Sequence, residues 1–213
     1  MRQFILAVTI FCLTFEAWGQ KEKILDSLSF FPRTTYSEVG NKVDSMSFIW
    51  RSQMLRDFNE PKLLSQQQSN SVYRFTWTRS FHEIMIIRMT ISDDSGTLIT
   101  KTEIRQPIQQ NKKKNKAAVD NKVTYQVDSL SIGQETITQF QTLVNNRGLW
   151  EMKNSWIISA IHDGAGWMLE ANDKEKGYKM LYRHSPGQNE QNFRDICLFL
   201  IRLTKDSEKL EVY

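Results

Sequence analysis

The sequence predicts an α+β fold, an antiparallel β-sheet of about five to seven strands with three helices packed mainly on one face. Three observations carry that prediction. Tyr73, Phe75, Trp77, Arg79 and Phe81 alternate strictly with Arg74, Thr76, Thr78, Ser80 and His82, the period-two pattern of a half-buried strand. Ile84–Ile91 follows as a nearly continuous apolar run, as in a strand covered on both faces. Further strand-like runs are joined by turn signals with no βαβ alternation, while three other stretches carry helical spacing.

The elements follow in chain order. Residues 1–19 read as a cleavable signal peptide, with Arg2 as the basic start, Phe4–Phe15 as the apolar core, and small Ala17 and Gly19 before cleavage at Gln20. The apolar run is shorter than the roughly 20 residues that span a bilayer. Cys12 follows Thr9-Ile10-Phe11 rather than the small residue of a lipoprotein cleavage point. Residues 20–213 then form a single globular α+β domain, exported to the periplasm or the exterior. It holds one cysteine, Cys197, and so no internal disulfide.

Residues 21–41 form an ordered lead-in. From Val43, the residues Met46, Trp50, Met54, Leu55 and Phe58 make one helical stripe, which Pro61 ends. Residues 63–70 are a polar connector into the first strand. Asp93-Asp94-Ser95-Gly96 is a turn, and Thr97–Arg105 a third strand. Residues 106–120 are a polar insertion too poor in apolar area to offset the roughly 1–2 kcal/mol per residue that ordering costs, so a mobile tip is expected. Lys122–Val127 is the return strand.

Ser131 and Gln134 match a capping box ahead of a helix that buries Ile137, Phe140, Leu143 and Val144 and stops at Gly148. Leu149–Ile161 reads as a loop with a short strand. Trp167–Ala171 and Tyr178–His184 pair across the turn Asn172–Gly177, with Trp167, Leu169, Met180 and Tyr182 expected on one face. Pro186-Gly187 breaks the strand. A last helix buries Phe193, Ile196, Cys197, Leu200 and Leu203, and residues 205–213 fray.

Charge and motifs say less about chemistry. The net charge of +4 comes from 28 Lys and Arg against 24 Asp and Glu, with a cluster at Lys112–Lys114 and Lys116, which gives no case for a nucleic-acid partner. His82, His162 and His184 lack metal-ligand spacing, and Cys197 sits on a helix stripe, so neither a metal nor a cofactor is expected. No GxSxG elbow or SxxK motif is present, and Asp163-Gly-Ala-Gly166 lacks the phosphate-loop pattern. Asp163 with Glu170, or Asp94 with Glu83, would have the chemistry of a glycosidase pair, though chance alone brings carboxylates together in a chain with this many.

Arg79 stands out because it is in phase with Trp77 and Phe81 on the aromatic face. A buried guanidinium needs an acidic or carbonyl partner, and Glu170, Asp163 and Asp195 are the candidates. Such an arginine is either half of a structural pair or a ligand contact in an aromatic cleft suited to a carboxylate or a sugar. The ligand-binding set expected on the second reading is Arg79, Trp77, Glu170, Asp163, His82 and Arg183.

The stretches Ser52-Gln-Met-Leu55, Asn59-Glu-Pro-Lys-Leu63, Tyr73–Arg79 with Phe81-His82, Asp163–Glu170, Tyr182–Pro186 and Phe193–Leu200 give the chain a resemblance. It resembles a family of uncharacterised exported bacterial proteins, a domain of unknown function. The resemblance implies export and a single globular domain, and it brings no catalytic residue. It also implies a tryptophan where His184 stands, which argues against a chemical role for His184. The functional expectation is a non-enzymatic domain of the cell envelope that binds a small molecule or an envelope protein. The alternatives are a hydrolase acting on glycan or peptide, and an inhibitor or immunity-type protein.

Overall fold

The structure is a computed structural model describing residues 29–32, 42–64, 69–93, 95–105, 123–153, 164–205 and 207–212. The leader at 1–19, the insertion at 106–120, and the stretch 154–163 with His162 and Asp163 lie outside the described residues. Two compact units meet in sequence at Pro61.

In the first unit, helix α1 runs Lys42–Asp57. Its buried face is Arg51, Ser52, Met54, Leu55 and Phe58, and the Phe30 N–H donates to Ser52 Oγ at 3.2 Å. Trp50, expected on this stripe, is half exposed because the face centres on the Arg51–Leu55–Phe58 line and leaves Trp50 at its margin. The helix ends as the sequence predicts. Asn59 takes a left-handed conformation (φ 51°), the Glu60 N–H returns to the Leu55 carbonyl at 2.9 Å, and Pro61 follows.

The second unit is built on one six-stranded antiparallel sheet. Its strands are β1 (Ser71–Arg79), β2 (Met85–Ile91), β3 (Gly96–Glu103), β4 (Tyr125–Ile132), β5 (Ala165–Asp173) and β6 (Gly177–His184). Their order is β4-β3-β2-β1-β5-β6. The first four strands are a meander in which each pairs antiparallel with the next. The chain then crosses through helix α2 (Gln134–Asn146) and places β5 beside β1, with Phe75 opposite Leu169 and Trp77 opposite Trp167. Helix α3 (Gln191–Arg202) follows β6.

Alternation along the strands sends Tyr73, Phe75, Trp77, Ile87, Met89, Trp167, Leu169 and Leu181 to the helix side. There they form one core with Ile137, Phe140 and Val144 of α2 and Phe193, Ile196, Cys197 and Leu200 of α3. Phe75, Trp77 and Trp167 lie within 5.2–6.3 Å of one another between ring centroids. Truncating a buried aromatic of this kind costs on the order of 3–5 kcal/mol. No helix among the described residues is long and apolar enough to cross a membrane.

Several boundaries differ from the sequence reading. β4 extends to Ile132 because Ser131 and Ile132 pair with Thr97 and Gly96, so α2 starts two residues later, at an N-cap of Gly133 with no side-chain cap. The expected capping box at Ser131 is therefore absent. The stop at Gly148 is as predicted: its φ is +64°, and the Leu149 N–H bonds the Val144 carbonyl at 3.1 Å. β1 ends at Arg79, which leaves Phe81 73% exposed rather than on the core face.

The β5–β6 hairpin is shifted by one residue from the expected pairing. Asp173 pairs with Gly177 across a loop of Lys174, Glu175 and Lys176, with Gly177 at φ +80°. Loop length fixes register, so Leu181 and Arg183 join Leu169 and Trp167, while Met180 and Tyr182 face the other way with Glu170 and Met168.

Candidate functional site

Register decides where the predicted ligand residues fall. Arg79 and Trp77 share the helix-side face at the end of β1, and Arg183 lies in the same cross-strand row as Trp77 and Trp167. Glu170 faces the opposite side of the sheet, because it stands opposite Arg74 rather than Arg79. It cannot be the Arg79 partner. His82 lies half-buried in the loop after β1, where its carbonyl accepts from Arg105 Nη2. Asp163 is outside the described residues.

Each cation on this set has an engagement of its own. The Arg79 guanidinium stacks 4.2 Å from the Trp77 ring centroid and donates from Nη2 to the Glu83 carbonyl at 3.0 Å. Arg183 pairs with Glu190, donates to the carbonyls of Tyr182 and Lys153 at 2.7 Å each, and lies 5.3 Å from the Phe193 ring. Glu170 Oε2 accepts from Arg74 Nε at 2.8 Å and is ion-paired with Nη2 at 2.6 Å, and its Oε1 accepts from the Tyr178 hydroxyl at 2.9 Å. Arg74 and Glu170 are both fully buried. The structure thus distributes the predicted set over two faces.

A groove lies at the other end of β1. It has a volume of about 270 Å³ and is walled by Ser71 and Tyr73 of β1, Asp173 and the β5–β6 loop, Gln141, Val144 and Asn145 of α2, and Trp150. A smaller cavity of about 90 Å³ shares Ser71, Gln141 and Lys174 with it and adds Ser69, Ser92, Asp93 and Gln134. The sheet brings these groups together because β5 sits beside β1 and ends in a tight loop just under the last turns of α2.

Asp173 organises the loop. Its Oδ1 accepts the N–H groups of Glu175 (2.9 Å) and Lys176 (3.1 Å), and its Oδ2 accepts the Ser71 hydroxyl at 2.8 Å. Burial by itself would raise the Asp173 carboxyl, but the Glu175 N–H, the Ser71 hydroxyl and Lys176 together hold it below its ordinary value. Tyr73 stands edge-on to Phe140 at 4.9 Å and is 3% exposed. Burial, and next the Asp173 carboxylate, push its phenol well above the ordinary value, so it remains a protonated donor.

That donor lines the groove and has no hydrogen-bond partner among the described residues. Its oxygen is not among the wholly buried polar atoms left without a partner, so it opens on the groove, where a ligand oxygen can take the place of water as its acceptor. Around it, Lys176 Nζ donates to Asn145 Oδ1 at 3.0 Å and lies 5.7 Å from the centre of the Trp150 ring. Lys174 Nζ is 3.4 Å from Asp93 Oδ1. The arrangement offers hydroxyl and amide groups beside one aromatic face. It can hold a small polar molecule.

Sequence reasoning missed this groove. The charged turn Asn172–Gly177 and the tyrosine two residues into β1 were both legible, but nothing in the sequence joins β1 to β5. Among the described residues, no group of three or more His, Cys, Asp or Glu is placed to hold a metal ion. No protein-family model and no curated protein matches the sequence.

Proposed function

We propose that the protein is an exported, non-catalytic binding domain of the bacterial cell envelope, and that it holds a small polar ligand in the groove between α2 and the β5–β6 loop. The observation that carries this reading is the buried Tyr73, whose hydroxyl lines a cavity of about 270 Å³ without a partner among the described residues. Two further features favour binding over acid–base catalysis. The Asp173 carboxyl is held low by the bonds of its own loop, so near neutrality it stays ionised and accepts hydrogen bonds without exchanging a proton. The Tyr73 phenol is held protonated, which suits a donor and not a base. The signal-like residues 1–19 supply the case for export.

The test is a thermal-shift screen with a library of small polar compounds on wild type and on Gln141→Trp. Gln141 is exposed, so the bulky side chain blocks the groove without disturbing the core. At least one compound should raise the wild-type melting temperature by a few degrees, about what a ligand at 10–100 times its Kd supplies, and lose its effect on Gln141→Trp. Equal responses of both proteins, or none from wild type, would overturn the reading. Export is checked separately by intact mass, with a chain beginning at Gln20 expected and a retained Met1 against it.

A further inference from the structure

We infer that the ligand of this groove is a neutral carbohydrate unit, bound through the Tyr73 hydroxyl and the face of Trp150; the inference rests on the binding reading above. The charges lining the two cavities nearly cancel, with Lys174 and Lys176 against Asp93, Asp173 and Glu175. Most are already engaged. Lys174 faces Asp93, Lys176 bonds Asn145, and Asp173 is bound by Ser71 and its loop. An anion or a zwitterion therefore meets little unspent counter-charge. Apart from the exposed Glu175 carboxylate, what remains open is uncharged: the Tyr73 hydroxyl, the Gln141 amide and the Nδ2 of Asn145.

Shape and polarity point the same way. A purely apolar ligand would strip water from these hydroxyl and amide groups without replacing their hydrogen bonds. The main cavity falls just under the roughly 300–1,000 Å³ of sites for drug-sized molecules. One pyranose ring suits that scale. The adjoining cavity, lined by Ser69, Ser92 and Gln134, extends it toward a second ring or a substituent. A sugar ring has apolar C–H faces and a rim of hydroxyls. The partly buried Trp150 offers an aromatic surface for the first once the exposed Lys176 side chain, 5.7 Å from its ring centre, swings aside, and Tyr73, Gln141 and Asn145 offer donors and acceptors for the second.

The experiment titrates the full exported chain, ¹⁵N-labelled, with N,N′-diacetylchitobiose and with maltose, and in parallel with putrescine and inorganic phosphate. A saccharide should shift the amides of Tyr73, Asn145 and the 174–176 loop. Tyr73→Phe should weaken its binding about threefold to tenfold, the loss of one hydrogen bond, and Trp150→Ala by about tenfold or more. Tyr73→Phe keeps the ring on Phe140, so an unchanged amide spectrum away from the groove certifies its fold. Putrescine or phosphate shifting these amides while both saccharides fail overturns the carbohydrate inference and leaves the groove reading standing. Saccharide shifts that map elsewhere, or that survive both substitutions, overturn both. The absence of any shift with either saccharide overturns the inference outright.

Discussion

Tyr73 and Arg74 are neighbours on β1, face opposite sides of the sheet, and are both buried, yet they have opposite polar environments. Arg74 meets Glu170 across the strands, and the Tyr178 hydroxyl completes the same carboxylate. The Tyr73 hydroxyl lines a cavity and meets no partner among the described residues. A buried ion is so costly alone that folding must supply its counter-ion, and the satisfied pair then becomes structure. A buried hydroxyl costs far less, so a fold can leave it open. The cavity matters to this distinction. The Nε1 donors of Trp77 and Trp167, by contrast, are wholly buried without partners among the described residues and line neither cavity, so they are a cost to stability rather than an opening.

The largest effect should come from breaking the saturated side. Glu170→Ala strands Arg74 and removes the acceptor of Tyr178, and should cost about 3–5 kcal/mol in denaturant unfolding. Replacing Arg74 and Glu170 together with methionine should restore most of it, since an apolar pair needs no compensation. A loss under about 1 kcal/mol for Glu170→Ala would mean that the pair is solvated and the contrast with Tyr73 fails.

Arg79 tests an intermediate case, a buried cation whose contacts include a ring and a carbonyl. Arg79→Ala should cost about 2–3 kcal/mol, from the stacking on Trp77 and the charged bond to Glu83. The unfolding midpoint measures it. A cost as large as that of Glu170→Ala would place Arg79 in the class of Arg74.

On the open side the effects on stability are smaller. Tyr73→Phe removes a donor with no protein partner and should change stability by less than about 1 kcal/mol in the same unfolding assay. A loss of 2 kcal/mol or more, by order of magnitude, would reveal a structural bond instead. The smallest effect concerns acid. Asp173 is held below its ordinary 3.8 in the folded protein, so its contribution is complete above that value and is lost as pH falls through and below it. Melting temperature followed from about pH 5 to about pH 3 should fall less steeply for Asp173→Asn than for wild type. Parallel curves would show that the loop does not depend on the carboxylate.

Much of the fold was legible because it depends on local periodicity. The helix-side alternation from Tyr73 to Arg79, the buried faces of α2 and α3, the stop at Gly148 and the protected place of Cys197 all follow from side-chain spacing on a single element. The errors lie where two elements compete for the same residues. Ser131 has a capping signature, but its pairing with Thr97 extends the strand through it. Met180 and Leu181 are nearly equivalent in hydropathy, so only the three-residue loop selects which of them meets the core.

The candidate site was much less legible. Arg79 lies on the face its phase predicts, but chemistry alone offers Glu170, Asp163 and Asp195 equally as its partner, and chemistry cannot say which row of β5 faces which row of β1. By itself the sequence determined the α+β class, the amphipathic faces of the elements and the polarity of each turn, because these are set by residues within one turn or one strand of each other. Only the tertiary structure decided that β5 lies against β1, that Arg74 rather than Arg79 takes Glu170, and that Tyr73 opens on a groove under Trp150. Those relations join residues about a hundred positions apart, and they are fixed by register and burial across the sheet, which no local pattern encodes.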